Sequence, residues 1–194
     1  MTLWQAKIVW LAGTVIWFVI RYPHARRSRK VSKANSVDRR RERLILAVAG
    51  LLVHVVPLVY VLTGWPQFAD YTFRPLLAAL GTMVFAGALY LFHRSHRDLG
   101  TNWSIALDIR KTHALVTGGV YRLVRHPMYS AFWLNAVAQA LLLPNFIAGP
   151  AGLLGIAVLY FARVGREERM MLETFGDEYR AYMARSARLI PWVY

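Results

Sequence analysis

Cysteine is absent from this chain, which excludes disulfides, thiolate metal sites, thiol nucleophiles and lipidation on cysteine. Carboxylates are scarce: ten Asp and Glu stand against 24 Lys and Arg in 194 residues, for a formal net charge of +14. His93 and His96 resemble a metal pair only superficially, because no carboxylate or thiolate set stands near them at ligand spacing; no metal is expected. Gly-rich phosphate loops, Ser-His-Asp groupings, internal repeats and low-complexity tracts are also missing.

What the chain has in excess is apolar surface, 57% of its residues, and it comes in blocks. Runs of roughly 17–25 apolar residues are what a helix needs to cross the hydrocarbon core of a bilayer. An all-α, polytopic membrane bundle of about five spans is therefore expected. The spans fall at about Leu3–Ile20, Leu44–Leu62, Phe73–Phe92, Met128–Leu143 and Phe146–Ala162. The first run lacks a basic leader and a small-residue cleavage site, so it reads as a retained helix. Pro57 and His54 lie inside the second span, His54 as a buried, hydrogen-bonded histidine. In the third, Gly81 and Gly87 with four nearby alanines leave room for close packing. Only Pro144-Asn145 separates the last two spans, which forces an antiparallel hairpin. Arg166–Tyr194 reads as an amphipathic helix with Phe175, Tyr179, Tyr182 and Met183 on one face. One membrane domain, 1–194, is expected: three spans and a basic loop in 1–92, and the site-bearing part in 93–194.

The basic residues are distributed by topology. Ten lie from Arg21 to Arg43, six from Arg94 to Arg125 and six from Arg163 to Arg188, leaving only Lys7 and Arg74 elsewhere. If alternate loops face opposite sides, 22 of 24 share one side, as the positive-inside rule demands of the cytoplasm. The amino terminus is then outside. The charge reports topology and attraction to the lipid bilayer, and calls for no nucleic acid.

Residues that could carry chemistry collect on that basic side. His126-Pro127 opens the fourth span: proline suits the first helical turn, and His126 would lie by free N–H groups that attract a carboxylate. Arg163 and Glu167, four apart, share a helical face, in the weaker order for a surface ion pair. Glu168 points about 100° away and reads as solvated or paired with Arg166 or Arg169. His113 and Tyr121 flank ALVTGGV, an apolar stretch with a turn at Thr117–Gly119 suited to a ligand wall. Met170-Met171 reads as packing.

Taken together, LGTNWS (99–104), HALVTGGVYRLVRHPMY (113–129), RVGREE (163–168) and FGDEYRAYMARSARLIP (175–191) resemble the isoprenylcysteine carboxyl methyltransferase family, integral membrane enzymes related to membrane phospholipid methyltransferases. The resemblance implies S-adenosylmethionine as cofactor. It puts the cofactor segment on His113, Ala114, Leu115, Val116, Tyr121, His126, Pro127, Met128 and Tyr129. It also puts the cofactor-side carboxylate on Glu167 and the substrate-side arginine on Arg163, the two catalytic candidates. The implied acceptor is a lipophilic carboxylate such as a C-terminal isoprenylcysteine. The family's eukaryotic members carry a longer acidic run after that arginine; here only Glu167-Glu168 follow. Alternatives are a phospholipid or amine N-methyltransferase, a non-enzymatic membrane scaffold, and a nicotinamide-dependent reductase.

Overall fold

The computed structural model describes residues 1–31, 39–100 and 114–193. Four helices there are long and apolar enough to cross a membrane: Leu3–Arg27, Arg40–Thr63, Pro75–Leu99 and Ala148–Arg185. A shorter apolar helix, Pro127–Leu142, stands where the fourth span is expected. At about 1.5 Å per residue its sixteen residues rise less than the hydrocarbon thickness.

Helix α1 runs Leu3–Val31, past Pro23 and well beyond the expected end at Ile20. The residues after the proline, HARRSRK, are mostly good helix formers, so the helix continues once the apolar run ends. The second span is α2 (Arg39–Gly50), a π turn at Leu51–Val55 and α3 (Val56–Thr63). Pro57 dictates the π turn: it has no N–H, and its ring would meet the carbonyl four residues back. Gly64, with φ +75°, ends α3. Helix α4 is Pro75–Leu99 and extends seven residues past the end of its apolar run at Phe92. A 3-10 turn at Gly119–Arg122 precedes α5 (Pro127–Leu142).

Helix α6 spans Ala148–Arg185 in two helical pieces that meet at a kink at Gly176, whose angles (φ 51°, ψ −122°) are not helical. The expected fifth span thus runs on past Ala162 to the kink, and the second helical piece begins at Gly176 rather than Arg166 and ends at Arg185; the positive φ there costs a glycine little. After Arg185 the chain turns back in extended form. Ala187 pairs with Val124, with Arg125 N–H donating to Ala187 O at 2.8 Å and His126 N–H to Arg188 O at 3.1 Å.

Close helix contacts rest on small residues. A Cβ at Gly81 would meet Leu141 Cβ at 2.9 Å, so α4 and α5 approach there as expected. One at Gly87 would meet nothing within 4 Å; that glycine serves no contact. A Cβ at Gly155 would lie 3.0 Å from Leu52 and Val53, seating α6 on the π turn.

The core divides along the bundle axis. One cluster, with Trp10, Tyr60, Phe85 and Leu142, fills the end where α3 meets the α5–α6 connection. Two others, around Tyr129, Tyr160 and Ile156 and around Trp17, Phe92 and Ala131, flank the opposite end. There Trp17 stacks on Phe92 with ring centroids 3.6 Å apart.

Candidate functional site

Between those last two clusters the helices do not close. They leave a cavity of about 380 Å³. Its apolar part is walled by Trp17 and Phe18 of α1, Leu46 and Ala49 of α2, Val53 of the π turn, and Ile156 and Leu159 of α6. Its polar part lies where α5 begins and α6 passes, with Arg125, His126, Tyr129, Arg163 and Glu167. Arg21 and His54 also reach it.

Arg163 and Glu167 share a face of α6, Arg163 Nε standing 3.4 Å from Glu167 Oε1. The guanidinium is also held by Glu42 of α2, with Nη2 3.6 Å from Oε1. Tyr129 donates its hydroxyl to Glu167 Oε1 at 2.7 Å. His126 Nδ1 lies 3.7 Å from Glu167 Oε2. Each of these side chains is largely withdrawn from water, where an ion pair is screened less than at a surface.

Glu168 differs from the expectation of a solvated group. It is 6% exposed and accepts from Arg125 Nε at 3.2 Å, from Arg188 Nη2 at 2.6 Å and from Arg188 Nε at 3.1 Å. His126 Nε2 lies 3.3 Å from its Oε1. The side of α6 that the helical wheel assigns to solvent is covered by residues 123–126 and 186–189. Arg125 continues to the carbonyls of Met183 (3.3 Å) and Ser186, and so clamps the returning segment. Ser130 in the first turn of α5 donates to Leu189 O at 2.6 Å.

The turn before α5 is pinned to the end of α4. Asp98 Oδ2 accepts the Val120 N–H at 3.0 Å and lies 3.4 Å from Arg94 Nη2. Gly119 sits at φ +60°, and a Cβ there would fall 2.2 Å from Asp98 Oδ2; only glycine fits this turn. Tyr121 is buried, donates to Ser95 O at 3.3 Å, and accepts the Tyr182 hydroxyl on its carbonyl at 2.5 Å. Burial pushes the Tyr121 phenol above its usual range, so it remains a neutral donor.

Ala114, Leu115, Val116, Tyr121, His126, Pro127, Met128, Tyr129, Arg163 and Glu167 therefore all line one cavity, although two segments of them are over thirty residues apart. His113, expected beside Ala114, lies outside the described residues. Met170 and Met171, expected as packing, line the cavity as well. His54 is not a hydrogen-bonded histidine: its Nδ1 has no partner, and its ring leans on Phe18 at 5.0 Å. Of the expected histidine pair, His96 is buried with Nδ1 2.9 Å from Phe92 O, and His93 is exposed. Glu42 was not anticipated, yet it is the lone carboxylate in the basic run RRRERL, a signal in itself.

Helices of membrane-crossing length, enclosing a charged, half-apolar cavity at one end, define a multi-pass integral membrane protein. The chain belongs to the isoprenylcysteine carboxyl methyltransferase family, whose model matches residues 79–173. It is 34% identical over 133 residues to a probable protein-S-isoprenylcysteine O-methyltransferase of Oryza sativa subsp. indica, covering 66% of this chain and 67% of that protein. It is 34% identical over 89 residues to the Schizosaccharomyces pombe protein-S-isoprenylcysteine O-methyltransferase, covering 46% of this chain and 38% of that one. With the mouse enzyme of that name it shares 28% over 131 residues, 66% of this chain and 45% of its relative. The chain thus spans less than half the length of the yeast and mouse relatives. The fold is similar to that of a solved eukaryotic intramembrane Ras methyltransferase, with TM-score 0.63 and 22% identity over 97% of this chain and 68% of that one.

Proposed function

We propose that this chain is an S-adenosylmethionine-dependent methyltransferase that esterifies the carboxylate of a lipophilic acceptor, such as a C-terminal isoprenylcysteine. The observation that carries the proposal is the meeting of Arg163 and Glu167 with His126 and Tyr129 at the polar end of a cavity whose other walls are apolar. Family membership and the names of the relatives support the reaction class.

The residues fit such a cofactor. A cavity of about 380 Å³ is of ligand size. It combines an apolar wall at Ala114–Val116, an anionic Glu167 for a cationic group, and the start of α5, whose free N–H groups favour a carboxylate. When bound, S-adenosylmethionine supplies an electrophilic methyl group on a sulfonium. The protein's part is alignment and exclusion of water. A carboxylate acceptor is ionised at neutral pH and needs no base. Arg163 holds it, its own fork steadied by Glu42 and Glu167 so that little freedom is lost on binding. Tyr129 steadies Glu167 in turn. The acceptor's tail lies against Trp17, Phe18, Leu46 and Val53, avoiding transfer of its apolar surface into water. The distribution of basic residues supports a cytoplasmic site and an external amino terminus.

Radiolabelled methyl transfer to a farnesylcysteine analogue tests the proposal. It predicts base-labile label, and loss of that label in Arg163→Ala while S-adenosylhomocysteine still binds. Transfer to phosphatidylethanolamine instead would establish the N-methyltransferase alternative. No transfer and no cofactor binding would overturn the class altogether.

A further inference from the structure

The segment that folds back after α6 forms a second, shallow groove on the outside of the site. Its walls are Arg122, Leu123 and Arg125 on one side and Arg185, Arg188 and Trp192 on the other. Arg125 and Arg188 are committed to Glu168. Arg122 and Arg185 are exposed at the groove. Among the described residues no acidic side chain lines it.

The height of this groove in the bilayer follows from one contact. Ser130, in the first turn of α5, holds Leu189 O at 2.6 Å. Leu189 itself packs against the cluster of Tyr129, Ile156 and Tyr160. The residues that follow are therefore fixed level with the beginning of an apolar helix. Ile190 is 54% exposed, Trp192 90% and Val193 78%, an apolar edge that water alone would not favour. Tryptophan beside apolar side chains at such a level belongs to the membrane interface. Two arginines and no acid beside it call for an anion there.

We propose that this groove binds the headgroup of an anionic phospholipid, with Arg122 and Arg185 on the phosphate and Trp192, Ile190 and Val193 at the boundary of its acyl chains. The lipid would act on the neighbouring site. The same segment pairs with residues 123–126 through three backbone hydrogen bonds, and its Arg188 shares Glu168 with His126. Holding it down holds the cavity wall that His126 belongs to. This coupling to ligand affinity rests on the function proposed above; the headgroup site does not.

The test uses the full chain in nanodiscs of phosphatidylcholine with or without phosphatidylglycerol. Native mass spectrometry reads retained lipid, and S-adenosylhomocysteine titration reads the site. Wild type should retain phosphatidylglycerol preferentially. The Arg122→Gln/Arg185→Gln variant should lose most of that preference, about fivefold for each arginine. Trp192→Ala should weaken retention of both lipids. Soluble glycerol 3-phosphate should not compete, which separates a lipid site from a phosphate site. Phosphatidylglycerol should also tighten S-adenosylhomocysteine binding several-fold in wild type and not in the double variant. Equal retention of phosphatidylglycerol by wild type and double variant overturns the headgroup site, as does competition by glycerol 3-phosphate. Intact retention with unchanged ligand affinity overturns the coupling. Absence of S-adenosylhomocysteine binding in every disc would instead sink the proposed function, leaving the lipid readout to stand by itself.

Discussion

At the end of the bundle away from the cavity, Asn145 uses both polar atoms of its amide on the fold. Its Nδ2 donates to Pro66 O at 2.7 Å and Asp70 Oδ1 at 2.8 Å, and its Oδ1 accepts the N–H groups of Ile147 and Ala148. The loops there also exchange backbone bonds, Tyr71 N–H to Pro144 O and Phe146 N–H to Ala69 O. At the cavity end, Arg163 and Glu167 are half-buried and likewise paired, but they line open space. The two ends bury polar groups for different purposes. In the first, the hydrogen bonds close a connection and free the ends of α5 and α6 from solvent. In the second, the pairs hold charges in place without filling the volume in front of them. A polar cluster is a candidate site when it borders a cavity, not merely when it is buried.

Between the two stands Glu168, adjacent to Glu167 yet used as the far end uses Asn145. The sharpest way to break the comparison is Glu168→Ala. It leaves Arg125 and Arg188 without their carboxylate, and thermal unfolding should report a loss of about 3–5 kcal/mol. Because His126 loses a neighbour too, S-adenosylhomocysteine affinity should fall with it. Arg163→Ala should separate chemistry from cofactor binding. Turnover should drop at least about a hundredfold through lost alignment, with cofactor affinity within a few-fold of wild type; near-normal turnover would remove Arg163 from its role. Asn145→Ala should do the reverse, costing about 2 kcal/mol of stability for buried groups left without partners, with ligand affinity unchanged in protein that remains folded. A changed affinity there would show the two ends to be coupled. The smallest effect expected is that of Tyr129→Phe. Losing one hydrogen bond to a carboxylate should weaken cofactor affinity by about tenfold, and a calorimetric titration would read it.

Much of the fold was legible because lipid imposes a simple rule: a helix satisfies its own backbone, so an apolar block of sufficient length becomes one. Element ends were less legible. Apolarity marks where the hydrocarbon region ends, and α1, α4 and α6 continue past it on helix-forming polar residues. The Arg163–Glu167 spacing and the His126-Pro127 junction could be read locally, since helix periodicity and proline geometry are local properties. Glu168 could not. Its burial depends on Arg188, twenty residues away, and on Arg125, forty-three residues away. The same holds for Met170 and Met171, which line the cavity together with residues as distant in the chain as Leu99 and Tyr121.

The order of residues by itself determined how many apolar helices form, which end of them carries the charge, and which two side chains of α6 share a face, because each follows from spacing along a single helix. Only the tertiary structure decided which carboxylate faces the cavity and which is locked behind it. That choice is made by the segments folding over α6, and contacts between distant parts of a chain leave no period in its sequence.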